Sequence, residues 1–165
     1  MSRPGIDATP ARRAPATCER AGFTLMDLLA ALAIVTLLAC VAVPSYRAQV
    51  IRARRSDARA ALLSLAAAEE NFHASCNAYA GILDDSRDSS CGDSSLRFPS
   101  SAGEGAYAIE VTSSGATGWT ATATAVVGGP QEADARCRVL RLTDAGHRSA
   151  VRVDGAASDA ECWSR

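Results

Sequence analysis

GFTLMDLLAALAIVTLLACVAVPSY, residues 22–46, is the stretch whose reading decides the fold. Between Phe23 and Val43 lie 21 residues whose only charge is Asp27. As a helix rising about 1.5 Å per residue they reach roughly 30 Å, the thickness of a bilayer's hydrocarbon core. A secretory signal carries a shorter apolar region, about 7 to 15 residues, closed by a small-residue cleavage site. The run is too long for that reading and predicts a membrane helix retained on the mature chain. Asp27 then needs an explanation, because a carboxylate inside hydrocarbon costs on the order of 2.5 to 3.5 kcal/mol. Either a cation reaches it, or it sits among head groups at the cytoplasmic end.

Downstream, Pro44 falls within what reads as one continuous helix, where it removes its own N–H bond and crowds the carbonyl of Cys40, predicting a kink or local melting. Ala58, Ala61, Leu62, Leu65, Ala68, Phe72 and Cys76 recur at spacings of three and four, an apolar stripe with Arg52, Arg55 and Arg59 elsewhere on the circumference. Gly81, after Asn77, is the expected stop. Residues 84–105 are rich in Ser, Asp and Gly and read as a loop tethered by Cys91. Beyond them the period changes to two. Tyr107, Ile109 and Val111 alternate with Ala108, Glu110 and Thr112, and Trp119, Ala121, Ala123 and Ala125 with Thr120, Thr122 and Thr124. Strands from Arg138 to Thr143 and from Arg148 to Val153 follow, turned by Asp144-Ala145-Gly146. The expected class is α+β: a long amino-terminal helix whose second half packs on a four-stranded antiparallel sheet.

Upstream, residues 1–22 carry Pro4, Pro10 and Pro15 too close together for a stable helix. Arg3, Arg12, Arg13 and Arg20 against Asp7 and Glu19 give this stretch a positive charge, which favours a cytoplasmic amino terminus. Of 165 residues, 143 then remain, room for one membrane helix and one small domain. Every basic residue is Arg, and residues 23–165 hold 13 Arg against 16 acidic residues, so gross electrostatics makes no case for a nucleic-acid or acidic-lipid partner.

Gly22-Phe23-Thr24-Leu25, the acid at Asp27, the unbroken apolar run, Pro44 and Tyr46 together resemble the type IV pilin family, including the pseudopilins of type II secretion. The pattern Asp134-x-x-Cys137-x-x-Leu140-x-Leu142-x-x-x-Gly146, ending at Cys162-Trp163, is similar to the carboxyl-terminal half of type IVa pilins. The resemblance implies a pilin fold divided into a leader, 1–22, a transmembrane and filament-core helix, 23–43, its amphipathic half, 44–81, and an exported loop and sheet domain, 82–165. It implies cleavage by a prepilin peptidase between Gly22 and Phe23, N-methylation of Phe23, residence in the inner membrane, and assembly with other pilin subunits into an extracellular pilus. Asp27 would meet the Phe23 amine of a neighbouring subunit and set axial register. The family usually has Glu there, one methylene longer. Adhesion, twitching motility and DNA uptake are the services such filaments perform, and a pseudopilin is the nearest alternative.

Cys18 lies in the expected leader and Cys40 in the membrane helix, which leaves Cys76, Cys91, Cys137 and Cys162 for two disulfides with three possible connectivities. Pairing of chain neighbours, Cys76 with Cys91 and Cys137 with Cys162, closes the shortest loops, and the resemblance implies that the second pair clips the carboxyl-terminal region. A metal set of His73, Cys76, Cys91 and His147 matches no common zinc spacing, so no metal or other cofactor is expected. Neither His73 nor His147 has a nucleophile signature beside it, and no phosphate loop is present, so no catalytic residue is assigned. Arg136, Arg138, Arg141, Arg148 and Arg152 cluster on the last two strands and could meet DNA phosphates, but a solvated face beside Glu132, Asp134 and Asp144 is the preferred reading. Leu37-Leu38-Ala39-Cys40 also looks like a lipoprotein cleavage box with Cys40 lipidated; Asp27 and the full pattern through Tyr46 argue against it.

Overall fold

The computed structural model describes residues 24–113 and 115–164. The chain divides into two units, Met1–Val41 and Ala42–Arg165. Helix α1, Leu25–Cys76, begins in the first and ends in the second. It opens on a capping box: Asp27 N donates to Thr24 Oγ1 at 3.2 Å, while Thr24 N and Oγ1 donate to Asp27 Oδ2 at 3.1 and 2.8 Å. In the first unit the apolar side chains have no cover. Leu28, Leu32, Ile34, Leu37 and Val41 are 60 to 72 % exposed, and by length and composition this helix could cross a membrane.

The helix is unbroken at Pro44, so the local melting expected there is not found. Proline's fixed φ falls in the helical range, so the backbone can hold helical geometry through it. The stop differs too: α1 ends at Cys76 rather than Gly81. Asn77 takes φ 52°, the left-handed conformation that terminates helices, and its N–H reaches the His73 carbonyl at 2.8 Å. Side-chain amides tolerate that conformation better than most residues, which is why Asn ends the helix before a glycine is needed.

In the second unit, Ala58, Leu62, Leu65 and Phe72 of α1 join one core with the inward residues of a sheet. That sheet has five strands rather than four, in the order β3 (Ser101–Ala102), β4 (Tyr107–Ser113), β5 (Trp119–Ala125), β6 (Val139–Thr143) and β7 (Arg148–Val151), every neighbour antiparallel. The added β3 lies in the stretch read as loop. Two residues show no alternation to read, and only pairing of Ser101 with Ala108 makes them a strand. The same stretch contributes β2 (Ser95–Leu96), which pairs in parallel with β1 (Ile82–Leu83) just before it. On β5 the inward residues are Trp119, Ala121, Ala123 and Ala125, small for the most part, and threonines alternate outward as β-branched residues do on a pleated surface. Gly146 at φ 75° closes the β6–β7 hairpin, its N–H on the Thr143 carbonyl at 2.9 Å. A short helix α2, Asp159–Trp163, follows β7, beyond the elements the sequence predicts; Asp159 fastens it by accepting the Ala150 N–H at 2.6 Å.

Candidate functional site

The densest buried polar cluster joins α1 to the turn before β6. Arg55 and Asp134 form a two-pronged ion pair, Nε on Oδ2 and Nη2 on Oδ1, the second at 2.5 Å. Their side chains are 16 % and 1 % exposed. Asp134 Oδ1 also accepts the backbone N–H groups of Arg136 and Cys137 at 3.1 and 3.2 Å. Gln131 Nε2 lies 2.9 Å from Asp134 Oδ2 and 3.2 Å from both the Tyr107 hydroxyl and the Ile51 carbonyl. Tyr107 in turn donates to the Cys137 carbonyl at 3.2 Å.

Burial favours the neutral acid at Asp134, but the Arg55 hydrogen bond and charge, with the two backbone N–H groups, outweigh it and hold the carboxyl below its ordinary value. Burial, then the Asp134 charge, push the Tyr107 hydroxyl up to about 12. Sequence reasoning set Arg55 off the apolar stripe. The helix places it on the stripe, three residues before Ala58, and Glu69 sits there as well, fully buried between Leu65 and Phe72. Glu69 Oε2 accepts the Ala80 N–H at 2.9 Å, turning the chain back after the helix. Its position at i+4 from Leu65 and i−3 from Phe72 was a readable signal; Gln131, in a turn, gave none.

Disulfides join Cys76 to Cys91 and Cys137 to Cys162. The first consumes both sulfurs of the metal set considered above, and His73 stacks on Tyr79 at 4.4 Å. The second ties the Asp134 turn to α2. Cys40 is a free, exposed thiol on α1. Asp27 lies in the first turn of α1 and Pro44 in its interior; Gly22 and Phe23 lie outside the described residues.

The five arginines do not form one stripe. Arg141 lies on the solvent face of β6, between Thr122 and Ser149, whereas Arg148 pairs with inward Leu142 and stands 5.6 Å over the Trp163 ring. Arg136 and Arg152 both approach Glu161, Arg152 at 4.0 Å. Arg138 and Arg141 have no ionic partner among the described residues.

A family model described as type IV minor pilin ComP, DNA uptake sequence receptor, matches residues 44–141. No curated protein matches the chain. The matched span covers 98 of 165 residues and contains the second half of α1, β4, β5 and the Asp134 turn. It starts beyond the GFTL motif, so two separate stretches of sequence lead to one assignment: the chain belongs to this type IV minor pilin family and is a structural subunit of a type IV pilus, associating there with other pilins.

Proposed function

We propose that the chain is made with a leader, residues 1–22, that a prepilin peptidase removes after Gly22, and that residues 23–43 hold the mature protein in the inner membrane until it is drawn into a pilus. The observation that carries this reading is the uncovered apolar surface of α1 before Val43. Burying such side chains stabilises by about 1.5 to 3 kcal/mol each, and a membrane or the helices of neighbouring subunits would supply the cover. Pro44 then marks the passage from the membrane run to the amphipathic half of the helix. Phe23 becomes the N-methylated first residue, and Asp27 receives the Phe23 amine of a neighbour. The capping bonds occupy Asp27 Oδ2, which leaves Oδ1 without a hydrogen bond among the described residues and able to accept that amine.

Two variants separate processing from assembly. Gly22→Val should retain the leader, read as intact mass. Asp27→Ala should be cut normally yet reach sheared filaments in amounts at least tenfold lower, because an ammonium without its carboxylate is costly where hydration is lost. Asp27→Glu should assemble at least as well as the natural chain. Normal filament yield from Asp27→Ala would remove the ion pair, and a mature chain beginning at a lipidated Cys40 would replace the pilin reading with the lipoprotein one.

A second reading, capture of DNA, is favoured by the match to a family described as a DNA uptake sequence receptor. The surface offered for it is the solvent face of the sheet, where Arg141 stands among Thr122, Thr143 and Ser149.

A further inference from the structure

Two cavities adjoin along the early part of α1 in the second unit, and they differ in character. One, about 310 Å³, is lined by Arg52, Arg55 and Arg136 with Ile51 and Ala133. Its neighbour, about 270 Å³, is lined by Tyr46, Val50, Ile51, Pro130 and Ala133 together with Arg47 and Arg54, and Arg54 Nη1 donates to the Pro130 carbonyl at 3.0 Å. Ile51 and Ala133 are common to both, so a basic recess shares a wall with a cleft in which Tyr46, Val50, Ile51, Pro130 and Ala133 stand beside two arginines. A third recess continues the basic one past Arg59 to Glu161.

Across the basic recesses four guanidinium groups face two carboxylates, Asp134 and Glu161, an excess of two positive charges. Asp134 already satisfies Arg55 and Glu161 bonds Arg136, whereas Arg52 has no ionic partner among the described residues. An anion entering the recess therefore meets a guanidinium with its donors free. An apolar group attached to that anion would find the second cleft across Ile51 and Ala133.

We propose that these paired cavities hold one anionic phospholipid, its headgroup phosphate against Arg52 and an acyl chain over Tyr46 and Val50. The proposal rests on the reading of residues 23–43 as the membrane span. Arg52 is nine residues beyond Val43, about 14 Å along the helix, and helical side chains lean back toward the amino terminus, here the membrane side. The headgroup layer adds about 5 to 7 Å beyond the hydrocarbon on each side, so an arginine reaching back meets its outer edge. Tyr46, 68 % exposed, lies between the two, as aromatic residues do at membrane interfaces. DNA phosphates are charged in the same way but bring no apolar chain for the second cleft.

The test uses the full mature chain in detergent micelles doped with phosphatidylglycerol or phosphatidylcholine, with bound lipid counted by native mass spectrometry. One phosphatidylglycerol per chain is expected, retained in preference to phosphatidylcholine. Arg52→Gln should weaken retention about fivefold, and Ala133→Asp, an exposed change on the shared wall, should abolish it. Both variants should keep the melting temperature of the natural chain. Equal retention of the two lipids, or retention untouched by both substitutions, overturns the proposal. Displacement of the lipid by a short duplex would give the recess to nucleic acid and overturn it as well. A chain extracted from membranes by alkaline carbonate loses the membrane reading and this proposal together, whereas one that resists extraction yet shows no lipid preference loses this proposal alone.

Discussion

Glu69 sits in an environment at odds with its chemistry. It is fully buried on the helix stripe, and only Oε2 has a hydrogen-bond partner, the Ala80 N–H. Burial raises its pKa above the ordinary 4.5, the Ala80 bond opposes the rise, and the charge of Glu70 adds to it. The folded state thus holds this proton more tightly than the unfolded state does. Stability from this group is greatest below about pH 4.5, falls as pH rises through the folded pKa, and levels off above it. Glu69→Gln keeps an acceptor for Ala80 without the buried charge. It should be more stable than the natural chain at pH 7.5, by on the order of 1 to 3 kcal/mol, with the gap closing at pH 4. Urea midpoints at the two pH values measure this, and a gap independent of pH would show that Glu69 is not the titrating group.

At the scale of elements, the turn before β6 is held to α1 by side chains rather than by backbone pairing. Arg55, Gln131 and Asp134 form that joint, and Cys137 carries it to α2 through its disulfide with Cys162. Asp134→Ala leaves the Arg55 charge uncompensated and frees two backbone N–H groups, so a loss of about 3 to 5 kcal/mol in unfolding free energy is expected. Because Asp134 has a lowered pKa, its contribution is complete above its ordinary value of 3.8 and disappears as pH falls through the lower folded value. The variant should therefore lose the steepest part of its acid-unfolding curve. A loss below 1 kcal/mol would mean that the disulfide alone holds the turn.

For the whole molecule, the question is how a chain of net charge −1 could meet DNA. Arg141 of β6 and Arg148 of β7 lie on opposite faces of the sheet, and Arg136 and Arg152 beside those strands are engaged with Glu161, so any contact would involve few phosphates. Few contacts mean a shallow dependence on salt, with a slope in log affinity of about 0.9 for each phosphate neutralised. The mature chain in detergent should retain duplex DNA more weakly as salt rises, and Arg141→Ala should reduce the slope by about one. Retention that ignores salt, or none at 50 mM salt, would remove DNA capture from this subunit.

The amino acid order by itself determined the long helix, the β4–β5 hairpin and the β6–β7 turn, because each is written as a local period or a turn residue within a few positions. The membrane-length run and the change from a period near 3.6 to a period of two survive in any context. Tertiary structure alone decided the rest. The edge strand Ser101–Ala102 exists only because β4 lies beside it. Arg55 reads as a surface cation until Asp134, 79 residues away, reaches it. The division of the arginines between two faces depends on strand register, and one residue of slip would exchange those faces. Long-range partners leave no period in a sequence, so the helix and the hairpins were legible and the polar joint between them was not.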